Sequence, residues 1–201
     1  MTKKKTSKKR LPDIVRFSKF AALDFETADY GRDSACAIAV VIAEEGRIIC
    51  KEYSLIRPPR KEFVFSYLHG ITWGDVRDKP AFGEVWGKIR KQLRGIDFVA
   101  AHNASFDRSV LHECCGKSGI KPPDHDFLCT MKLARRVWGI RPTKLSDVCK
   151  HFCIPLNHHD AASDALACAK IVLEAREKGI PASALLKKRP GNISVMWSPD
   201  D

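Results

Sequence analysis

The sequence lacks any long hydrophobic run. Its longest apolar stretch, around Cys36–Ala43, falls far short of the roughly 20 residues a helix needs to cross a bilayer, so no membrane association is expected. It also lacks an apolar segment behind the charged N-terminal stretch, which argues against a secretory signal. Eight cysteines in such a chain read as free thiols in a reducing compartment, and a cytoplasmic location is expected. No internal repeat is present, which excludes solenoid and array architectures. Glutamine is nearly absent, Gln92 being the only one.

What is there is unevenly charged. Eight basic residues within the first 20 face Asp13 alone, so +7 of the net +11 sits in a tenth of the chain. Such an arm suits a polyanionic partner, but net charge speaks to association and not to chemistry. With Pro12 and no apolar periodicity, residues 1–18 read as a disordered arm. Residues 19–178 read as one folded domain and 179–201 as a C-terminal extension. The length of 201 residues and the 44% hydrophobic content exclude both a mini-protein and wholesale disorder. If the arm acts as an electrostatic tether, deleting residues 1–17 raises KM at moderate salt and leaves kcat alone.

Along the chain, Phe20–Glu26 reads as a strand, apolar at its start and acidic at its end. Cys36–Ala43 is continuously apolar, as a central strand covered on both faces would be. Glu44-Glu45-Gly46 is a turn into a third strand, Arg47–Ile56, which makes an antiparallel hairpin. A loop follows through Leu68-His69-Gly70-Ile71-Thr72. Phe82, Val85, Trp86, Ile89 and Leu93 mark one helix face, ended by Gly95. Asp97–Ala101 is a fourth strand and Ser105–Cys115 a helix ended by Gly116. Phe127–Cys129 is a short strand. Met131–Trp138 and Lys144–Phe152 are short helices, and Ala161–Lys178 is a long one. This alternation predicts an α/β domain built on a mixed sheet.

Asp24 and Glu26 stand two apart on a strand, so both carboxylates leave the same face. Like charges so close raise each other's pKa and call for a counter-charge, yet no Lys or Arg lies within three residues of either. Taken alone, the pair also fits a solvated strand end. Asp107 falls in the first turn of a helix that Asn103 could cap, and Asp164 in the first turn of one that Asp160 could cap. Singly, each answers a helix dipole. Together with His159, at the entrance to the last helix, they would give four carboxylates and an imidazole. That much negative charge in a cleft is very costly without cations, and oxygen-only ligands suit Mg²⁺ or Mn²⁺.

Three stretches carry a resemblance: Leu23-Asp24-Phe25-Glu26-Thr27, Ala101-His102-Asn103-Ala104-Ser105-Phe106-Asp107 and His159-Asp160-Ala161-Ala162-Ser163-Asp164-Ala165. They resemble the three motifs of the DEDDh 3′–5′ exonucleases, a family that includes the epsilon subunit of bacterial DNA polymerase III, ribonuclease T and oligoribonuclease. Leu68-His69-Gly70-Ile71-Thr72 and Lys144-Leu145-Ser146-Asp147-Val148-Cys149 add to it, and the likeness spans about Phe20 to Ala175.

The resemblance implies a ribonuclease-H-like fold, a mixed five-stranded β-sheet flanked by α-helices, with the exonuclease domain over 19–178. It implies hydrolysis of phosphodiesters from a 3′ end, releasing nucleoside 5′-monophosphates with two divalent cations, Mg²⁺ or Mn²⁺. Asp24, Glu26, Asp107 and Asp164 would hold the metals and His159 would be the general base; His158 lacks the four-residue gap to Asp164. Phe25, Thr27, His69, Ile71, Asn103 and Phe106 are the candidate substrate contacts. The expected partners are 3′ ends of single-stranded DNA, favoured, or RNA, with a polymerase or repair complex as a context. A Gln-initiated clamp-binding tail peptide, as in the epsilon subunit, is absent, because Gln92 lies on a predicted helix. The alternatives are an RNA-directed exoribonuclease and a non-catalytic nucleic-acid-binding module. Cys149-x-His151-x-Cys153 invites a zinc reading, but the two cysteines stand i, i+4, the spacing of one inward helix face.

Overall fold

The computed structural model describes residues 18–180. The basic arm and nearly all of the C-terminal extension lie outside those residues. The strands are β1 (Lys19–Thr27), β2 (Ala35–Glu44), β3 (Arg47–Leu55), β4 (Val99–Ala101) and β5 (Phe127–Cys129). The sheet runs β3-β2-β1-β4-β5, with β1–β2 and β2–β3 antiparallel and β1–β4 and β4–β5 parallel. This is the expected mixed five-stranded sheet. β2 is buried at every position from Ala35 to Ala43, as its unbroken apolar run required. Glu45 and Gly46 close the β2–β3 hairpin at φ 47 and 82, the two left-handed residues of a tight turn whose twist matches the strands.

Among the described residues, seven helices accompany the sheet: α1 (Ser66–His69), α2 (Trp73–Val76), α3 (Phe82–Ile89), α4 (Ala104–Lys117), α5 (Thr130–Trp138), α6 (Leu145–His151) and α7 (Ala161–Glu177). β1 alternates between two cores. Ala21, Leu23 and Phe25 face the layer of α3 and α4, while Phe20 and Ala22 face α5, α6 and α7. α7 crosses β1 and β2 and buries Ala161, Ala165, Ala167, Cys168, Ala169 and Ala175, small residues that let a helix lie close to a sheet. Its start is fixed as expected, because the Asp160 carboxylate accepts from the Ala162 and Ser163 amides at 2.9 and 3.1 Å.

Four local expectations are corrected. The loop after β3 carries the short α1 and α2, whose single turns are too brief to leave a periodic pattern. Gly116 lies inside α4, and the stop comes at Gly119, where φ is +64. Asn103 does not cap α4 with its side chain. It sits in the left-handed region at φ 64, and its Oδ1 instead accepts from the Ser105 hydroxyl at 3.1 Å. Cys149 packs inward, but Cys153 lies beyond the end of α6, exposed at φ 54, so the two cysteines do not share a helix face.

Candidate active site

β4 ends at Ala101, so β1 loses its parallel neighbour before its acidic end. The backbone N–H groups there need another acceptor. Asp107, in the first turn of α4, supplies one: the Phe25 N–H donates to Asp107 Oδ1 at 3.3 Å. This bond ties α4 to the strand between Asp24 and Glu26. Asp164 approaches from the first turn of α7 on the face where Asp24 and Glu26 emerge. The acids are not a solvated strand end, since Glu26, Asp107 and Asp164 are buried and Asp24 is half-buried.

Burial and mutual repulsion hold these carboxyls towards their neutral forms. Burial, followed by the charge of Asp164, pushes Glu26 up to about 8. Burial also pushes Asp107 up to about 8, against the Phe25 amide and the nearby Arg32. Asp24 is raised well above its ordinary value, first by burial and then by Asp107 and Asp164. Asp164 is raised by burial while His158 pulls it down.

Asp164 is held by one oxygen. Its Oδ2 lies 3.1 Å from His158 Nδ1 and 3.3 Å from the His159 backbone N–H, which donates to it. Its Oδ1 is buried with no hydrogen-bond partner. A buried, unpartnered carboxylate oxygen among three other acids, all hard oxygen donors, is the chemistry a divalent cation satisfies. Among the described residues, no three His, Cys, Asp or Glu side chains already stand in a metal-ligand arrangement. The donor set therefore fits by type and charge. His159 sits at φ 66, a left-handed conformation uncommon outside glycine and one that recurs at functional sites. Its ring stacks on His158 at 4.1 Å.

All of these acids and histidines except Asp107 line a cleft of about 710 Å³. Asp24, Glu26, Asp164, His158 and His159 share it with Phe25, Thr27, His69 and Phe106. Two expected substrate contacts stand outside this cleft. Ile71 borders a neighbouring cavity of about 260 Å³, behind Glu26 and His159. Asn103 is exposed and lines neither of these two cavities. His69 borders both, but its ring nitrogens are taken. The Ile71 N–H can only donate, so Nδ1 accepts it at 3.0 Å, and the proton on Nε2 goes to the Thr27 carbonyl at 3.2 Å. His69 thus offers the cleft a ring face and holds the loop that follows α1. Phe106 is half-buried, packed on the core and roofed by Arg32, whose guanidinium lies 4.4 Å from the ring centre. Sequence reasoning missed Phe65, Leu68, His102 and the stretch that brings Arg135, Arg141, Thr143 and Lys144 to the cleft. His102 stands beside Asn103 in the second motif and could have been weighed there, but nothing in the spacing of Phe65 or Leu68 marks them.

Clustered acids and a histidine at the end of a mixed sheet, beside an open cleft, suit metal-assisted hydrolysis, and the fold is the ribonuclease-H-like one of exonucleases. The RNase_T exonuclease family matches residues 21–172, and the chain belongs to that family. Exodeoxyribonuclease 10 of Escherichia coli is 34% identical over 147 residues, covering 68% of this chain and 60% of that protein. The 3'-5' exonuclease DinG of Bacillus subtilis is 32% identical over 168 residues, covering 80% of this chain and 18% of that protein. The chain therefore spans only part of the length of these relatives. Exonuclease X in complex with 5' overhanging duplex DNA superposes with a TM-score of 0.68 at 27% identity, covering 83% of this chain and 96% of that one. The nuclease domain of 3'hExo, a DEDDh family member bound to rAMP, shares the fold at a TM-score of 0.69 and 18% identity, covering 81% of this chain and 94% of that one.

Proposed function

We propose that this chain is a divalent-metal-dependent 3′–5′ exonuclease that removes nucleoside 5′-monophosphates from single-stranded DNA. The observation that carries the reading is the unpartnered Asp164 Oδ1 among four clustered acids. Asp24, Glu26, Asp107 and Asp164 would hold Mg²⁺ or Mn²⁺. Bound there, such ions lower the pKa of water towards neutrality and offset the charge that develops on the leaving oxygen.

The chain's own residues do the rest. His158 and the His159 amide fix one oxygen of Asp164 and leave the other bare. His159, at the cleft wall with its ring clear of Asp164, takes the proton of the attacking water; burial and the adjacent His158 lower its pKa, which keeps the ring neutral and able to accept. Phe106 and the His69 ring face pack against the terminal nucleotide, and Phe25 and Thr27 border it from β1.

The likeness to exodeoxyribonuclease 10 supports DNA over RNA. The choice rests on contacts to the 2′ position, because the reacting phosphodiester is common to both. Likeness to the DNA polymerase III PolC-type protein of Bacillus subtilis, 30% identical over 186 residues that cover 88% of this chain and 13% of that protein, supports a polymerase context. All eight cysteines are unpaired, which supports a reducing, cytoplasmic compartment. The test is side-by-side digestion of matched 5′-labelled DNA and RNA oligonucleotides with Mg²⁺. Stepwise shortening from the 3′ end with DNA ahead of RNA is expected, and faster RNA digestion would transfer the assignment to an exoribonuclease.

A further inference from the structure

The cleft has one acidic wall and one basic wall. Besides the acids of β1 and α7, the segment from α5 to the start of α6 lines it with Arg135, Arg141 and Lys144. All three are exposed, and among the described residues none forms a salt bridge with a carboxylate, although Asp24, Glu26 and Asp164 share their cleft. Cations kept on the rim of an acidic cleft and left without acidic partners are suited to an anion that arrives with the substrate.

The segment that bears them is fixed at Thr143, which is buried. The Thr143 hydroxyl accepts from Arg135 Nη2 at 2.8 Å. The Thr143 carbonyl lies 2.9 Å from His102 Nε2. A carbonyl only accepts, so the His102 proton sits on Nε2, and Nδ1 accepts from the Thr130 hydroxyl at 2.9 Å. Burial keeps His102 neutral in that tautomer. His102 follows Ala101, the last residue of β4, next to the strand that carries Asp24 and Glu26. It is thus a peg between the chemical centre and the basic wall.

We infer that Arg141 and Lys144 form a phosphate rest for the strand upstream of the reacting 3′ nucleotide, with Arg135 bracing it and His102 setting its distance from the four acids. The ligand is the phosphodiester backbone, bound without regard to base. The inference rests on the exonuclease reading and extends it from the bond that breaks to the length of strand that must be held. His102 acts through Thr143 and is a positioning residue.

The experiment uses the full chain with Mg²⁺ and two substrates, a single-stranded oligodeoxynucleotide and the p-nitrophenyl ester of thymidine 5′-monophosphate, which has no upstream phosphate. In Arg141→Ala/Lys144→Ala, the ratio of kcat/KM on the oligonucleotide to that on the ester should fall by about tenfold or more. The slope of log KM against log salt should flatten by about 0.7 for each phosphate no longer neutralised. The peg is tested by two variants that each keep one bond. His102→Gln can still donate to Thr143 and should preserve the oligonucleotide KM. His102→Asn can still accept from Thr130, cannot reach Thr143, and should raise KM with its kcat on the ester less affected. An unchanged substrate ratio and salt slope in the double variant would overturn the phosphate rest, as would equal KM values in His102→Gln and His102→Asn for the peg. Failure of the exonuclease reading itself looks different, since the wild-type chain would then cleave neither substrate.

Discussion

His158 places a ring nitrogen on Asp164, with Nδ1 3.1 Å from Oδ2, whereas His159 reaches the same oxygen only through its backbone N–H at 3.3 Å. The two adjacent histidines therefore divide their work. One orients a carboxylate, and on the proposed reading the other keeps its ring for the proton.

This division predicts different defects. His159→Ala removes the proton acceptor and should lower kcat by about 10²-fold or more. His158→Ala leaves the acceptor and loosens Asp164, so the Mg²⁺ concentration for half-maximal rate should rise by about tenfold. Steady-state rates across a Mg²⁺ titration separate the two. Identical behaviour of the variants would count against separate roles.

The raised carboxyl pKa values predict how the metal-free protein responds to pH. Glu26 and Asp107 titrate near 8 when folded and in the ordinary carboxylate range when unfolded. Between those values the folded state keeps protons that the unfolded state has released. Their contribution is therefore full below the ordinary range and is lost as pH rises towards about 8. Thermal melts in EDTA should show Tm falling from about pH 5 to about pH 8, and added Mg²⁺ should restore much of the loss. Asp24→Asn should raise the metal-free Tm at the alkaline end while abolishing activity, because it removes repulsion and a ligand together. A Tm that rises over this pH range would contradict the acid cluster.

Arg60, beyond β3, bridges Asp29 at 2.9 Å and Asp33 at 2.6 Å in the β1–β2 connection, locking the turn that carries Arg32 over Phe106. Gly31 sits beneath the clamp; a Cβ there would overlap Arg60 Nη2 and stand 2.7 Å from Asp33 Oδ1. Arg60→Ala and Gly31→Ala should each cost about 1 kcal/mol. The double variant should cost less than their sum, because both disturb the same clamp. The Arg60 hydrogen bonds hold both acids below the usual carboxylate range. Their contribution is thus present above that range and lost as pH falls, so the gap between wild type and Arg60→Ala should close in acid. Urea unfolding at neutral and acidic pH measures both effects, and a gap that widens in acid would disprove the clamp's charge.

The parts of this structure legible in the sequence are those set by long patterns. The unbroken apolar run of β2 and the long helical stretch from Ala161 announced the sheet and its covering helix. The five acid and histidine positions came from motif likeness; the fold brings Asp24, Glu26, Asp164 and His159 to one cleft and ties Asp107 to the Phe25 amide between the first two. What was not legible depends on single long-range bonds. His69 borders the cleft as expected, but that it offers only a ring face, its nitrogens being held by Thr27 and Ile71, was not legible. Asn103 looked like a side-chain cap until its left-handed backbone turned it away. The basic wall is assembled from α5 and the segment before α6, and its register depends on Thr143 meeting a histidine 41 positions earlier.

The central claim is that the four acids hold divalent cations that cut a nucleic-acid strand from its 3′ end. It is tested most directly by incubating a 5′-labelled single-stranded oligodeoxynucleotide with the wild-type chain and with Asp24→Ala, in Mg²⁺ and in EDTA. A ladder shortening from the 3′ end is expected only for wild type in Mg²⁺. A ladder that persists in EDTA, or one that Asp24→Ala produces at the wild-type rate, would contradict the claim.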